Sequence, residues 1–226
     1  MENHHHHHHT TANNTNNTLN VKVDYQNEII TIDLKDNENN PPELEINHEK
    51  RLHLIVVSAD LKEYYHLHPI DKGNGIFEQA FKLKDNAYKV FVDIQPKNIA
   101  YHNKAIELEV GQSHSVHHIH PLEVDTTFVK SIDNKTVELT IDSLGVHQNT
   151  TFRFDSKNGK PDPYLGALGH VVILDESAET FIHVHPKSEN ETVFETHFMK
   201  PGIYKLWGEF KFGEQVHAYP FVIEVK

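Results

Sequence analysis

The sequence contains no cysteine, so disulfides, zinc–thiolate sites and cysteine nucleophiles are all excluded. Methionine is almost absent, at two residues including the initiator, which removes the soft thioether ligands that Cu⁺ carriers use. No apolar run reaches the roughly 18 residues of a membrane-spanning helix. Basic residues are outnumbered, 21 Lys and Arg against 33 Asp and Glu, for a net charge of −12. That balance argues against nucleic acid and against an anionic membrane surface as partners. Also missing is any Ser-His-Asp, phosphate-loop or nucleotide motif. What the chain has in quantity is histidine, 21 residues. Six form the run His4 to His9, which reads as an expression tag. Thr10 to Thr18 is nearly all Thr and Asn and is expected to be a disordered leader, leaving residues 1–18 outside the fold.

The other histidines are patterned. His53-LIVVSADLKEYY-His66-L-His68-Pro69 matches His170-VVILDESAETFI-His183-V-His185-Pro186, with identical offsets throughout. Nine residues after the third histidine both copies read Phe-Glu-x-x-Phe, at Phe77-Glu78 and Phe194-Glu195. A Tyr-Lys segment follows in each, Tyr88-KVFVDI and Tyr204-KLWGEF. Register this long implies internal duplication. The expected division is repeat one over 19–111, a His-rich linker over 112–123 and repeat two over 124–226.

The hydrophobic period is two. Ile30-TIDL, Leu54-IVVS, Tyr88-KVFVDI, Thr136-VELTI, Val171-VIL and Tyr204-KLWGEF read as strands rich in β-branched and aromatic residues. No amphipathic helix of ten or more residues is evident. The fold class expected is all-β: two tandem β-sandwiches of the Ig-like or cupredoxin-like kind.

Within each repeat, His-x-His sets two imidazoles on one face of a strand. The twelve-residue gap predicts a hairpin with His53 about opposite His66 and His170 about opposite His183. Three imidazoles, His53, His66 and His68 or His170, His183 and His185, then converge on one face, as suits Zn²⁺ with an open position or Cu²⁺. Ile55, Val57 and Tyr64, or Val172, Leu174 and Phe181, share that face, which predicts a cover: repeat against repeat, or a second chain. Glu78 and Glu195 are candidate fourth ligands or orienters of imidazole. His114, His117, His118 and His120 make the linker a candidate metal-capture tract. His48, His102, His147, His197 and His217 have no matched partners and read as background. Gly166 and Gly169 before His170 predict a more preset, tighter site in repeat two than the charged His48-Glu-Lys-Arg51 approach allows in repeat one.

The run Pro163-Tyr-Leu-Gly-Ala-Leu-Gly-His170-Val-Val-Ile-Leu, continuing to His183-Val-His185-Pro186, resembles the YtkA-like or FixH-like group of secreted or lipid-anchored bacterial β-sandwich proteins. The resemblance is best over 161–226, and repeat one lacks the Tyr-Leu-Gly-Ala-Leu-Gly lead-in. It implies an extracytoplasmic location and a link to copper or other heavy metals. The leading functional reading is a non-enzymatic metal chaperone, buffer or sensor. Its partners are the metal ion and a membrane transporter or another metal carrier. An open three-His zinc site with Glu78 or Glu195 as general base, and an adhesion-like module without metal, are the alternatives.

Overall fold

The computed structural model describes residues 18–111, 121–184 and 186–226. Among them every regular element is a strand. Eight strands fall in the first repeat: β1 Asn20–Gln26, β2 Ile29–Lys35, β3 His53–Ser58, β4 Tyr64–Leu67, β5 Ile70–Gly73, β6 Ile76–Ala80, β7 Asn86–Asp93 and β8 Ile106–Val110. Eight more follow: β9 Val129–Ile132, β10 Lys135–Ile141, β11 Asn149–Ser156, β12 His170–Asp175, β13 Phe181–Val184, β14 Val193–His197, β15 Gly202–Phe212 and β16 Gln215–Val225.

Each repeat is a sandwich of two antiparallel four-stranded sheets. Repeat one pairs β1-β2-β6-β5 with β4-β3-β7-β8, and repeat two pairs β14-β11-β10-β9 with β13-β12-β15-β16. The strands answer one another as β1 to β10, β2 to β11, β3 to β12, β4 to β13, β6 to β14, β7 to β15 and β8 to β16. Repeat two adds an edge strand, β9, and holds only an isolated bridge, Pro186 to Phe194, where repeat one has β5. Alternation fills each interior. Ile30, Ile32, Leu34 and Phe77 meet Leu54, Val56, Val90 and Val92 in one core. Phe152, Phe154 and Phe194 meet Val171, Ile173, Leu206 and Phe221 in the other.

β3 and β12 do not alternate: all six residues of β3 and the first five of β12 are buried. A strand reads as a continuous apolar run when both its faces are covered. A third core supplies the second cover. Ile55, Val57, Leu61 and Phe91 of repeat one pack on Val172, Leu174, Ala178 and Trp207 of repeat two. The molecule is thus four layers deep, with the two histidine-bearing sheets in the middle. The contact is reciprocal. Tyr64 stacks on Trp207 with ring centroids 4.6 Å apart, and their counterparts Phe181 and Phe91 stack at 5.0 Å. Lys89 Nζ donates to Ser177 O at 2.6 Å, and its counterpart Lys205 donates to Leu61 O at 2.7 Å, one residue further along the matching loop. Such self-complementary pairing is what a two-fold-related interface produces, here between duplicated halves of one chain.

Candidate metal centre

The β3–β4 hairpin corrects one expectation. Its register pairs Leu54 with Leu67 and Ile55 with His66, so His53 lies across from His68 and diagonal to His66. The cause is the loop. Six residues, Ser58 to Glu63, separate the last pair. Ser58 Oγ stabilises them by donating to Asp60 at 2.6 Å and accepting the Lys62 and Glu63 amides at 3.1 and 2.8 Å. Repeat two builds the same loop differently: Asp175 Oδ1 accepts the Glu179 and Thr180 amides at 2.7 and 2.8 Å. Leu174 pairs with Phe181 and Val172 with His183, the same two-residue offset. Leu61 and Ala178 occupy matching left-handed positions, φ 56° and 51°, and both are buried in the inter-repeat core.

His53, His66 and His68 are placed so that they can hold a metal ion, with one ring nitrogen of each within 4.8 Å of the others. Ring centroids are 5.2, 5.2 and 4.7 Å apart. Imidazoles bound to one tetrahedral ion at about 2.1 Å would show separations of about 5 Å. His53 is 1% exposed, and the His66 side chain likewise.

Hydrogen bonds fix the tautomers. His53 Nε2 donates to the Asn47 carbonyl at 3.0 Å, which a carbonyl can only accept, leaving Nδ1 as a lone pair. His66 Nδ1 donates to the Glu209 carboxylate at 2.5 Å, which turns Nε2 toward His53. These two nitrogens face each other at 3.0 Å. His68 Nε2 beside them is buried without a hydrogen-bond partner. Burial holds His53 down to about 4 and His68 down to about 3, so both are neutral near pH 7. One cation among the three would engage all of them.

Repeat two repeats the pattern. His170 Nε2 donates to the Tyr164 carbonyl at 3.1 Å, six residues back as in repeat one, and its buried Nδ1 has no hydrogen-bond partner. Burial holds this imidazole down to about 2. His183 Nδ1 donates to Asp93 at 2.7 Å. The carboxylates are exchanged between repeats: Asp93 lies across from His53 but serves His183, and Glu209 lies across from His170 but serves His66. Ligand histidines with carboxylate-held second nitrogens are the rule in metal sites. The buried Glu209 carboxylate accepts from the His66 imidazole. A buried carboxylate needs compensating charge, which a divalent ion held by His66 would supply.

His185, His114, His117, His118 and His120 lie outside the described residues. Glu78 and Glu195 sit on β6 and β14 in the outer sheets and pair with Lys72 at 3.4 Å and Lys187 at 2.9 Å, so neither joins the histidines. Asp93 and Glu209, not singled out from sequence, take the orienting role instead. Their signal is visible in hindsight: both are the sixth residue of the Tyr-Lys strand, Tyr88-KVFV-Asp93 and Tyr204-KLWG-Glu209.

A family model described as "Domain of unknown function (DUF8832)" matches residues 10–112 and 130–226. No curated protein matches the chain. Among solved structures it is similar to a two fibronectin type-III domain segment of chicken tenascin, at 10% identity over 93% of this chain and 100% of that one, TM-score 0.30. It is also similar to the FN1–FN3 domains of chicken CNTN1 (14% identity, 92% and 66% covered, TM-score 0.27) and to the Yersinia pseudotuberculosis adhesin InvE (8%, 86% and 53%, TM-score 0.22). None of the three bears on the histidine site.

Proposed function

The chain belongs to the family described as "Domain of unknown function (DUF8832)", and we propose that it is an extracytoplasmic divalent metal-binding protein, a carrier or buffer of Zn²⁺ or Cu²⁺. One observation carries the reading: His53 Nδ1 and His66 Nε2 face each other at 3.0 Å beside His68 Nε2, which is buried without a hydrogen-bond partner. Repeat two supplies the second site through His170, His183 and His185. The extracytoplasmic setting rests on the resemblance of 161–226 to the YtkA-like or FixH-like group. The exclusively imidazole donor set of the described triad favours Zn²⁺ and Cu²⁺ over Cu⁺. A storage or transfer role is favoured over hydrolysis because Glu78 and Glu195, the candidate general bases, are tied to lysines on the outer sheets.

The test is a titration of tag-free protein with Zn²⁺ and Cu²⁺, since the tag itself binds metal. Two equivalents are expected. His66→Ala with His68→Ala removes one, and His183→Ala with His185→Ala removes the other. A quadruple variant that binds as much metal as the wild type sinks the assignment.

A further inference from the structure

One histidine without a sequence counterpart lies in the metal region. His48 sits on the turn Asn47–Lys50, whose ends bridge through Asn47 N to Lys50 O at 2.8 Å and Lys50 N to Asn47 O at 3.1 Å. The same turn supplies the Asn47 carbonyl that holds His53. The ring of His48 lies beside two histidines of repeat two. The His48 ring centroid is 5.4 Å from that of His170 and 6.5 Å from that of His183, which are 5.9 Å from each other. These separations are wider than the roughly 5 Å of imidazoles sharing one tetrahedral ion, so the rings would have to draw together to share one. His48 is half-buried and lines a surface cleft with Glu49, Gly166 and Pro186.

Resting on the metal-binding reading above, we infer that His48 of repeat one is a ligand of repeat two's ion, so that this site is assembled from both repeats. The duplication makes the two sites unequal. Repeat two has the same turn, Tyr164 bridged to Ala167, with Leu165 where repeat one has His48. The two share a left-handed conformation, φ 46° at His48 and 51° at Leu165. With Leu165 in that place, repeat one's triad gains no histidine from the matching turn. Repeat two's site gains a ligand from across the interface, the form that retains its ion and ties domains together.

Zn²⁺ competition against a chromophoric chelator tests this on the tag-free full chain, in wild type, His48→Ala, His48→Gln and Leu165→His. Expected in both His48 variants is at least about tenfold weaker binding of one equivalent, the one that survives in the His66→Ala, His68→Ala background, with the other equivalent unchanged. Leu165→His, placed on a turn that already accepts histidine in the other repeat, should tighten the repeat-one equivalent. Zn²⁺ should also raise the melting temperature of the wild type more than that of His48→Gln. If both His48 variants keep both affinities, the inference is overturned and the metal reading stands. If the wild type binds no Zn²⁺, both fall. Should the His48 variants fail to fold, an unchanged repeat-one affinity in Leu165→His overturns it instead.

Discussion

The two repeats set their first histidine by the same device and differ at the residue just before it. In repeat one Leu52 is 2% exposed and fills the sandwich interior. In repeat two that position is Gly169, and a Cβ there would lie 2.5 Å from the Phe210 ring and 2.7 Å from the Glu209 carbonyl. The same space is filled from the lead-in of β3 in one copy and from β15 in the other. Gly169 is therefore a packing glycine, and its backbone is not in the left-handed region. Gly166 is left-handed at φ 75°, but Glu49 adopts φ 63° at the matching place without glycine. The expectation that glycines preset a tighter site in repeat two has lost its physical basis. The difference between the sites lies at His48 and Leu165, on turns that meet across the interface.

The comparison can be tested hardest at the stacked pairs. Trp207→Ala and Phe91→Ala each remove one half of a reciprocal contact, and each should lower unfolding stability by about 3–5 kcal/mol in denaturant titrations. Near-equal losses are the mark of a symmetric interface; a negligible loss at one would show that the repeats do not lean on each other equally.

The exchanged carboxylates come next. Glu209→Gln should weaken repeat one's metal site, and Asp93→Asn repeat two's, by about 10- to 100-fold. The larger effect is expected at Glu209, whose side chain is 5% exposed against 22% for Asp93. If each variant instead weakened the site in its own repeat, the exchange seen between His66–Glu209 and His183–Asp93 would be wrong.

Gly169→Ala should cost about 1–3 kcal/mol by overpacking against Phe210. Because the second clash is with the Glu209 backbone, it should also perturb the His66 site, in the other repeat. Leu52→Ala leaves a cavity and should not show that cross-effect, which paired metal titrations would reveal.

Acid sensitivity is smaller per group. Burial depresses His53 to about 4, His68 to about 3 and His170 to about 2, while the unfolded imidazoles take up protons near 6.5. Below pH 6.5 the unfolded state binds more protons than the native state, so stability is present above that pH and is lost on acidification. Each group contributes a slope of up to about 1.4 kcal/mol per pH unit. His53 stops contributing near pH 4, and His170 continues to about 2. Melting curves of metal-free protein that stay flat from pH 6.5 to 4.5 would contradict these depressed values. Smallest is Glu49→Gly, which should relieve left-handed strain by no more than about 1 kcal/mol, a gain Gly166→Ala should reverse in sign.

Much of this was readable in one dimension. The offset of 117 between His53 and His170, the period-two strands, and the doubly covered runs His53-LIVV and His170-VVIL were enough for two β-sandwiches with histidines on a shared face. The hairpin register was not readable, because it turns on how a six-residue loop is stitched by Ser58 in one copy and Asp175 in the other. A two-residue shift keeps every side chain on its face, so periodicity is blind to it.

Sequence alone determined the duplication, the all-β class and the pairing of imidazoles by His-x-His, since these depend only on spacing along the chain. Tertiary structure decided which groups act on which. Asp93 and Glu209 serve histidines in the opposite repeat, 90 and 143 residues away in sequence, and His48 stands beside His170. No local pattern encodes such contacts. They follow from the packing of two apolar faces, Ile55, Val57 and Phe91 on Val172, Leu174 and Trp207, in the one orientation that buries both.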